Sequence, residues 1–121
     1  VLVSPYTRTL HTAEIIAGVL GLPVTIEPLV RERCFFTCDI GSPRSELTVR
    51  WGHFDFGELP ERWWPEPDET EEQLGVRCQT FRSAMAQTED WPHVLVVSHW
   101  GFIRGLTGEA VANGTVVPFK P

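Results

Sequence analysis

Apolar and polar positions fall into blocks along this chain, and each block has a distinct period. Val1-Leu2-Val3 is a short β-branched run stopped by Ser4-Pro5, which predicts a buried strand followed by a turn. Over residues 8–20, Leu10, Ala13, Ile16, Ala17 and Leu20 recur at three- and four-residue spacing, the stripe of an amphipathic helix. Gly21 follows the last periodic residue and Pro23 comes soon after, the signals that end helices. Val24-Thr25-Ile26 then predicts a second strand. Strand, helix and strand in that order predict a parallel unit with a right-handed crossover.

Residues 31–69 break the pattern. Glycine, proline and aromatic residues interrupt any period there, and one helix is predicted, with Ser42 as its cap and Pro43 at its first position. An irregular insertion of this length in a compact domain is expected to serve function, here as a cap or substrate loop. Periodicity returns at Thr70-Glu71-Glu72-Gln73, a capping box, and Leu74, Arg77, Cys78, Phe81 and Met85 mark one face of a helix to about residue 88. Val94-Leu95-Val96-Val97 is continuously apolar, as a buried parallel strand is. A short helix over residues 101–106, a turn at Asn113-Gly114 and a last strand at Thr115-Val116-Val117 complete the prediction. The sum is one α/β domain over residues 1–121.

Composition narrows the partners. The net charge of -6 and the single lysine, Lys120, leave no basic footprint, so nucleic acid is excluded as a partner. The longest apolar stretch, near Val94–Ile103, is interrupted by Ser98, His99 and Gly101, so no membrane span is expected. Three cysteines do not make a disulfide framework, which points to a reducing, cytoplasmic setting. Cys34, Cys38, His53 and Cys78 could be combined into a metal site, but buried free thiols explain the cysteines more simply.

Chemistry concentrates at two strand-to-helix junctions. Arg8 begins the helix after Ser4-Pro5, and His99 ends the strand 94–97 just before a helix. Ligands bind at the carboxyl ends of strands in open α/β sheets, and helix N-termini there suit phosphate. A guanidinium beside them can hold two phosphate oxygens. Singly, Arg8 could be a surface arginine and His99 a satisfied strand-end histidine; together they favour a phosphate site.

The segment from Val1 to Glu14, with Ser4-Pro5, Arg8 and Thr12-Ala13, resembles the histidine phosphatase (phosphoglycerate mutase-like) superfamily. Val94-Leu95-Val96-Val97-Ser98-His99-Trp100-Gly101 is similar to its second histidine motif, Leu29-Val30-Arg31-Glu32 resembles its proton-donor segment, and Asp68-Glu69-Thr70 falls where members often carry Gly-Glu-Ser. The resemblance implies a three-layer α/β/α fold with a mostly parallel sheet. It also implies a phosphomonoester hydrolase, or a mutase, that works through a phosphohistidine and uses neither metal nor cofactor. By that resemblance Arg8 and His99 bind the phosphoryl group of a phosphorylated small molecule. Glu32 is the general acid and then the base; read from its neighbours alone, it would be a solvated charge between Arg31 and Arg33.

Two features depart from the superfamily pattern. Trp100 replaces the small residue usual after the histidine, so it is expected to narrow the pocket. The nucleophilic histidine belongs to an Arg-His-Gly tripeptide on the first strand, and no histidine here follows an arginine. His11 and His93 read as surface residues, and His53 is the remaining candidate to line the pocket. The chain is therefore expected to lack the first strand of the fold and to be inactive in this form. The alternative is a non-catalytic relative that binds phosphorylated ligands or a protein. An open sheet edge would also allow two copies to pair as a homodimer. Trp51, Trp63 and Trp64 could be core or substrate shelf, and Arg104 is expected in a structural salt bridge.

Overall fold

The computed structural model describes residues 1–66 and 68–121; Pro67, in the irregular segment, lies outside the described residues. Three short strands form a parallel sheet: β1 (Leu2–Val3), β2 (Thr25–Ile26) and β3 (Val96–Val97), in the order β2-β1-β3. Leu2 is in register with Thr25 on one side and Val96 on the other. Four helices surround the sheet: α1 (Thr7–Leu20), α2 (Arg44–Arg50), α3 (Glu71–Ala86) and α4 (Trp100–Thr107). The α/β class and the parallel β1-α1-β2 unit are as the sequence predicts.

Local chemistry explains most boundaries. Gly21 takes the left-handed conformation that closes α1, with φ of 66°. Thr70 and Gln73 form the expected capping box at the start of α3. Helix α2 starts later than predicted. Ser42 makes no side-chain cap; its carbonyl accepts from Trp63 Nε1 at 2.9 Å, and Glu61 meets the first free backbone donors, its carbonyl accepting from the Arg44 N–H at 3.1 Å and its Oε2 from the Ser45 N–H at 3.3 Å.

The predicted C-terminal strand does not form. Thr115-Val116-Val117 belongs to a stretch without helix or strand, although the turn at Asn113-Gly114 is present. A β-branched triplet needs a partner ladder to become a strand, and no described strand pairs with it. The tail is anchored instead by Phe119, which lies against Phe81 with ring centroids 6.3 Å apart.

Two apolar clusters form the core. Val3 and Val97 join Leu10, Ala13, Leu47, Trp51, Phe56, Leu59 and Trp63 in one. Leu2 and Val96 pack against the other, built on Val30, Leu74, Cys78, Phe81 and Phe102. Successive residues of a strand point to opposite faces, so each face of the sheet receives one cluster. The irregular segment supplies Leu47, Trp51, Phe56, Leu59 and Trp63 to the first cluster, so these residues are core. Each such side chain taken from water contributes roughly 1.5–3 kcal/mol. The chain just beyond each strand end is thereby held, and those three ends carry the polar residues described next.

Candidate active site

Arg8, Glu32 and His99 reach one site from three separate segments. Each follows a strand of the parallel sheet: Arg8 lies in the first turn of α1 after β1, Glu32 follows the 3-10 turn Pro28–Val30 after β2, and His99 is the N-cap of α4 after β3. All three line a single cavity of about 810 Å³. This is the carboxyl edge of the sheet, where ligands of open α/β folds bind.

His99 is 6% exposed and both of its ring nitrogens are engaged. Arg8 Nε donates to Nδ1 at 3.2 Å, and Nε2 lies 2.8 Å from Ser4 Oγ. A guanidinium can only donate, so Nδ1 is the acceptor and the ring proton sits on Nε2, directed at Ser4. Burial, with Arg8 and Arg77 adding like charge, lowers the His99 pKa to about 3. The imidazole is therefore neutral near pH 7. Tyr6 packs edge-on against it with centroids 5.0 Å apart, and the Arg8 guanidinium lies 4.5 Å from the Tyr6 ring centre. Arg8 itself is half-exposed, and its terminal nitrogen lies 3.8 Å from Asp39 Oδ1.

Glu32 faces this cluster through its backbone contacts. Its Oε1 accepts from the N–H of Arg33 at 2.8 Å and of Gly101 at 2.9 Å. Burial raises the Glu32 pKa; those two hydrogen bonds and Arg8 oppose the shift, while Asp39 adds to it. A carboxyl held high in this way can carry a proton nearer neutrality than an exposed one. The approach depends on glycine at position 101, because a Cβ there would lie 2.5 Å from Glu32 Oε1.

Asp39, Ser4 and Tyr6 complete the site, and pattern reading did not single them out. Asp39 is buried on the 3-10 turn Thr37–Asp39, where Oδ2 accepts from the backbone N–H of Phe35 and Phe36 at 3.1 and 2.9 Å. Tyr6 donates its hydroxyl to the Asp39 carbonyl. The only local signal for Asp39 is an acidic residue just before Gly41-Ser42-Pro43, which any turn would show.

Other candidates fall elsewhere. Trp100 does line the cavity, with 48% of its surface exposed. His53 does not join the cluster: its Nε2 lies 3.1 Å from Glu14 Oε1, on the outer side of α1. The Glu14 carboxylate is the partner it meets there. Arg104 makes no salt bridge among the described residues; its guanidinium stacks 5.5 Å from the Trp100 ring centre. His11 is exposed beside Arg50, with its ring edge-on to the buried Trp51, and His93 is exposed on the turn Trp91–His93. Cys34 and Cys78 are buried free thiols, whereas Cys38 is exposed. Cys34 contacts the Asp39 and Pro65 carbonyls, Cys78 the Phe102 carbonyl and His53 Glu14, so they do not converge on a metal.

A buried basic residue, an arginine and a raised carboxyl at the ends of three parallel strands narrow the family sharply. The model of the histidine phosphatase superfamily (branch 1) matches residues 1–115. The chain belongs to the histidine phosphatase superfamily. No curated relative and no solved structure matches it significantly. No helix among the described residues is long and apolar enough to cross a membrane.

Proposed function

We propose that this chain carries the phosphate-binding and proton-donating half of a phosphomonoester hydrolase, or of a phosphoglycerate mutase-like enzyme, of three-layer α/β/α design. The observation that carries the reading is the meeting of Arg8, Glu32 and His99 in one cavity. The guanidinium of Arg8 binds the phosphoryl oxygens, and neutral His99 turns its N–H from Ser4 to a third oxygen. Glu32, protonated, gives its proton to the leaving oxygen and then takes one from the attacking water. The phosphorylated small molecule enters past Trp100. This scheme uses no metal or cofactor.

The scheme needs a histidine nitrogen in line with the leaving oxygen, and His11, His53 and His93 all lie elsewhere. The sheet offers a place for it. Leu95 and Val97 give their carbonyls to β1, at 2.8 and 3.2 Å from the N–H of Leu2 and Ser4. The alternation of a parallel ladder turns Val96 the other way, toward an edge that no described strand occupies. Val94, Leu95, Val96 and Val97 line the same cavity as the three site residues. A strand ending in Arg-His-Gly and paired there would bring its histidine to the phosphoryl group.

A second reading is favoured by one observation. Both His99 nitrogens are already satisfied within the chain, as they would be in a relative that binds phosphorylated ligands without turning them over. One experiment separates the two. Residues 1–121 alone are expected to release no phenol from an aryl phosphate, and turnover by that chain would sink the enzyme scheme. Joining an Arg-His-Gly strand ahead of Val1 is expected to yield an acid-labile phosphohistidine. If that longer protein binds phosphate but never becomes labelled, the non-catalytic reading stands instead.

A further inference from the structure

We propose that Arg77, Glu69 and Ser98 are positioning residues that aim the Glu32 carboxyl at the phosphoryl site; the inference rests on the reading of Glu32 as proton donor. Three consecutive carbonyls ahead of Glu32 are each held by a side chain from another element. Arg77, on α3, donates from one terminal nitrogen to the carbonyls of Leu29 and Arg31, both at 2.8 Å. Ser98, the residue before His99, donates its hydroxyl to the Val30 carbonyl at 2.7 Å.

The side chains on either side of Glu32 are anchored as well. Arg31 reaches Glu69 Oε1 at 3.2 Å, and Arg33 donates through Nε to the Glu69 carbonyl at 3.0 Å. Side chains alternate along an extended segment, so fixing Arg31 and Arg33 toward Glu69 sends Glu32 the opposite way, onto the Gly101 N–H. Arg77 is itself locked. Its Nε and second terminal nitrogen grip both oxygens of Glu69 at 2.8 and 2.5 Å, and both residues are 6% exposed. A buried ion pair adds little net stability over a packed apolar pair, but it fixes direction. Direction matters here, since a proton donor misplaced by about 1 Å loses on the order of a hundredfold in rate.

The network also ties Glu32 to its partner at the site. Ser98 precedes His99 in the chain, so the hydroxyl that holds Val30 sets the spacing between the segment of Glu32 and the strand end of His99. Arg77 in turn lies 5.2 Å from the Phe102 ring centre, next to the Gly101 amide that Glu32 accepts from.

The test follows the Glu32 carboxyl by carbon-13 NMR in the 121-residue chain, with the Gly101 amide as a second reporter. In the unaltered chain Glu32 is expected to titrate above the ordinary carboxylate range, with the Gly101 amide following it. Ser98→Ala and Arg77→Lys are each expected to return Glu32 toward the ordinary range and to uncouple the Gly101 amide. Ser98→Thr, which keeps the hydroxyl, is expected to restore both signals. Phe56→Ala, a loss of packing in the other core cluster, is expected to leave Glu32 raised. If Arg77→Lys does not fold, the Ser98 pair decides. An unshifted Glu32 in the unaltered chain, or unchanged titration in folded Ser98→Ala, overturns the proposal. So does an equal drop in Phe56→Ala, which would reduce the effect to general loosening. Failure of phosphate to bind while Glu32 responds as stated would remove the phosphatase reading and leave the positioning intact.

Discussion

His99 is a base kept neutral by its surroundings, and that has a cost that pH exposes. An unfolded histidine takes up a proton near pH 6.5, while the folded one holds out until about pH 3. The folded state therefore binds fewer protons between those values, and stability falls as the pH drops through that window, by about 1.4 kcal/mol per pH unit for one proton. Glu32 runs the other way. Its raised pKa contributes stability at acid pH that is lost as pH rises through the folded value. Comparison with His99→Gln isolates the histidine. Urea unfolding at pH 7 and at pH 4.5 is expected to show a steep loss for the unaltered chain and a shallower one for the variant. Parallel losses would mean that His99 is not buried and neutral.

At this scale the sequence showed what lies in contiguous motifs. Arg8, Glu32 and His99 each sit in a run of residues with a recognisable order, so all three could be singled out as candidates. Asp39, Ser4 and the Glu69–Arg77 pair act through partners up to 95 residues away, and no local pattern encodes such a pairing. Arg77 did appear on the apolar face of its predicted helix. An arginine in that stripe was the one available sign of a buried ion pair. His53 and Arg104 show the converse: both had suitable chemistry, and nearer partners, Glu14 and Trp100, took them.

Helix packing explains where glycine is needed. In α4, a Cβ at Gly105 would lie 2.8 Å from Leu74 Cδ2 and 3.2 Å from Cys78 Sγ, so α3 and α4 pack closely there. In α3, a Cβ at Gly75 would meet nothing within 4 Å. Gly105→Ala is expected to cost about 1–3 kcal/mol through overpacking. Gly75→Ala is expected to gain about 0.5–1 kcal/mol from helix propensity. Thermal unfolding of the two variants checks both signs, and a stabilised Gly105→Ala would contradict the packing of α3 on α4. Elements were legible where their ends carried strong signals, as at Gly21 and at Thr70 with Gln73. Thr115-Val116-Val117 misled because β propensity is satisfied only by a neighbouring ladder, which a linear pattern does not supply.

Over the whole molecule, the chain brings three strand ends together, and among the described residues no strand pairs with the outer edge of β3 beside them. The parallel α/β class was readable because strand, helix and strand recur in order. The role of residues 31–69 was not, because irregular chain shows no period; its Leu47, Trp51 and Phe56 fill the core, while its Glu32 and Asp39 stand at the site. With a net charge of -6, the molecule as a whole repels anions, so phosphate must be held by the local site. Among the described residues, Arg8 is the only arginine or lysine lining the cavity.

The account stands or falls on that arginine. Titration of the 121-residue chain with orthophosphate, followed by calorimetry, is predicted to show saturable binding that weakens about 10–100-fold in Arg8→Ala, the loss of one or two charge-assisted hydrogen bonds. Arg104→Ala, which removes a cation stacked on Trp100 outside the cavity, is predicted to bind as the unaltered chain does. Absence of binding, or binding that survives Arg8→Ala unchanged, would contradict a phosphate site at the ends of these strands.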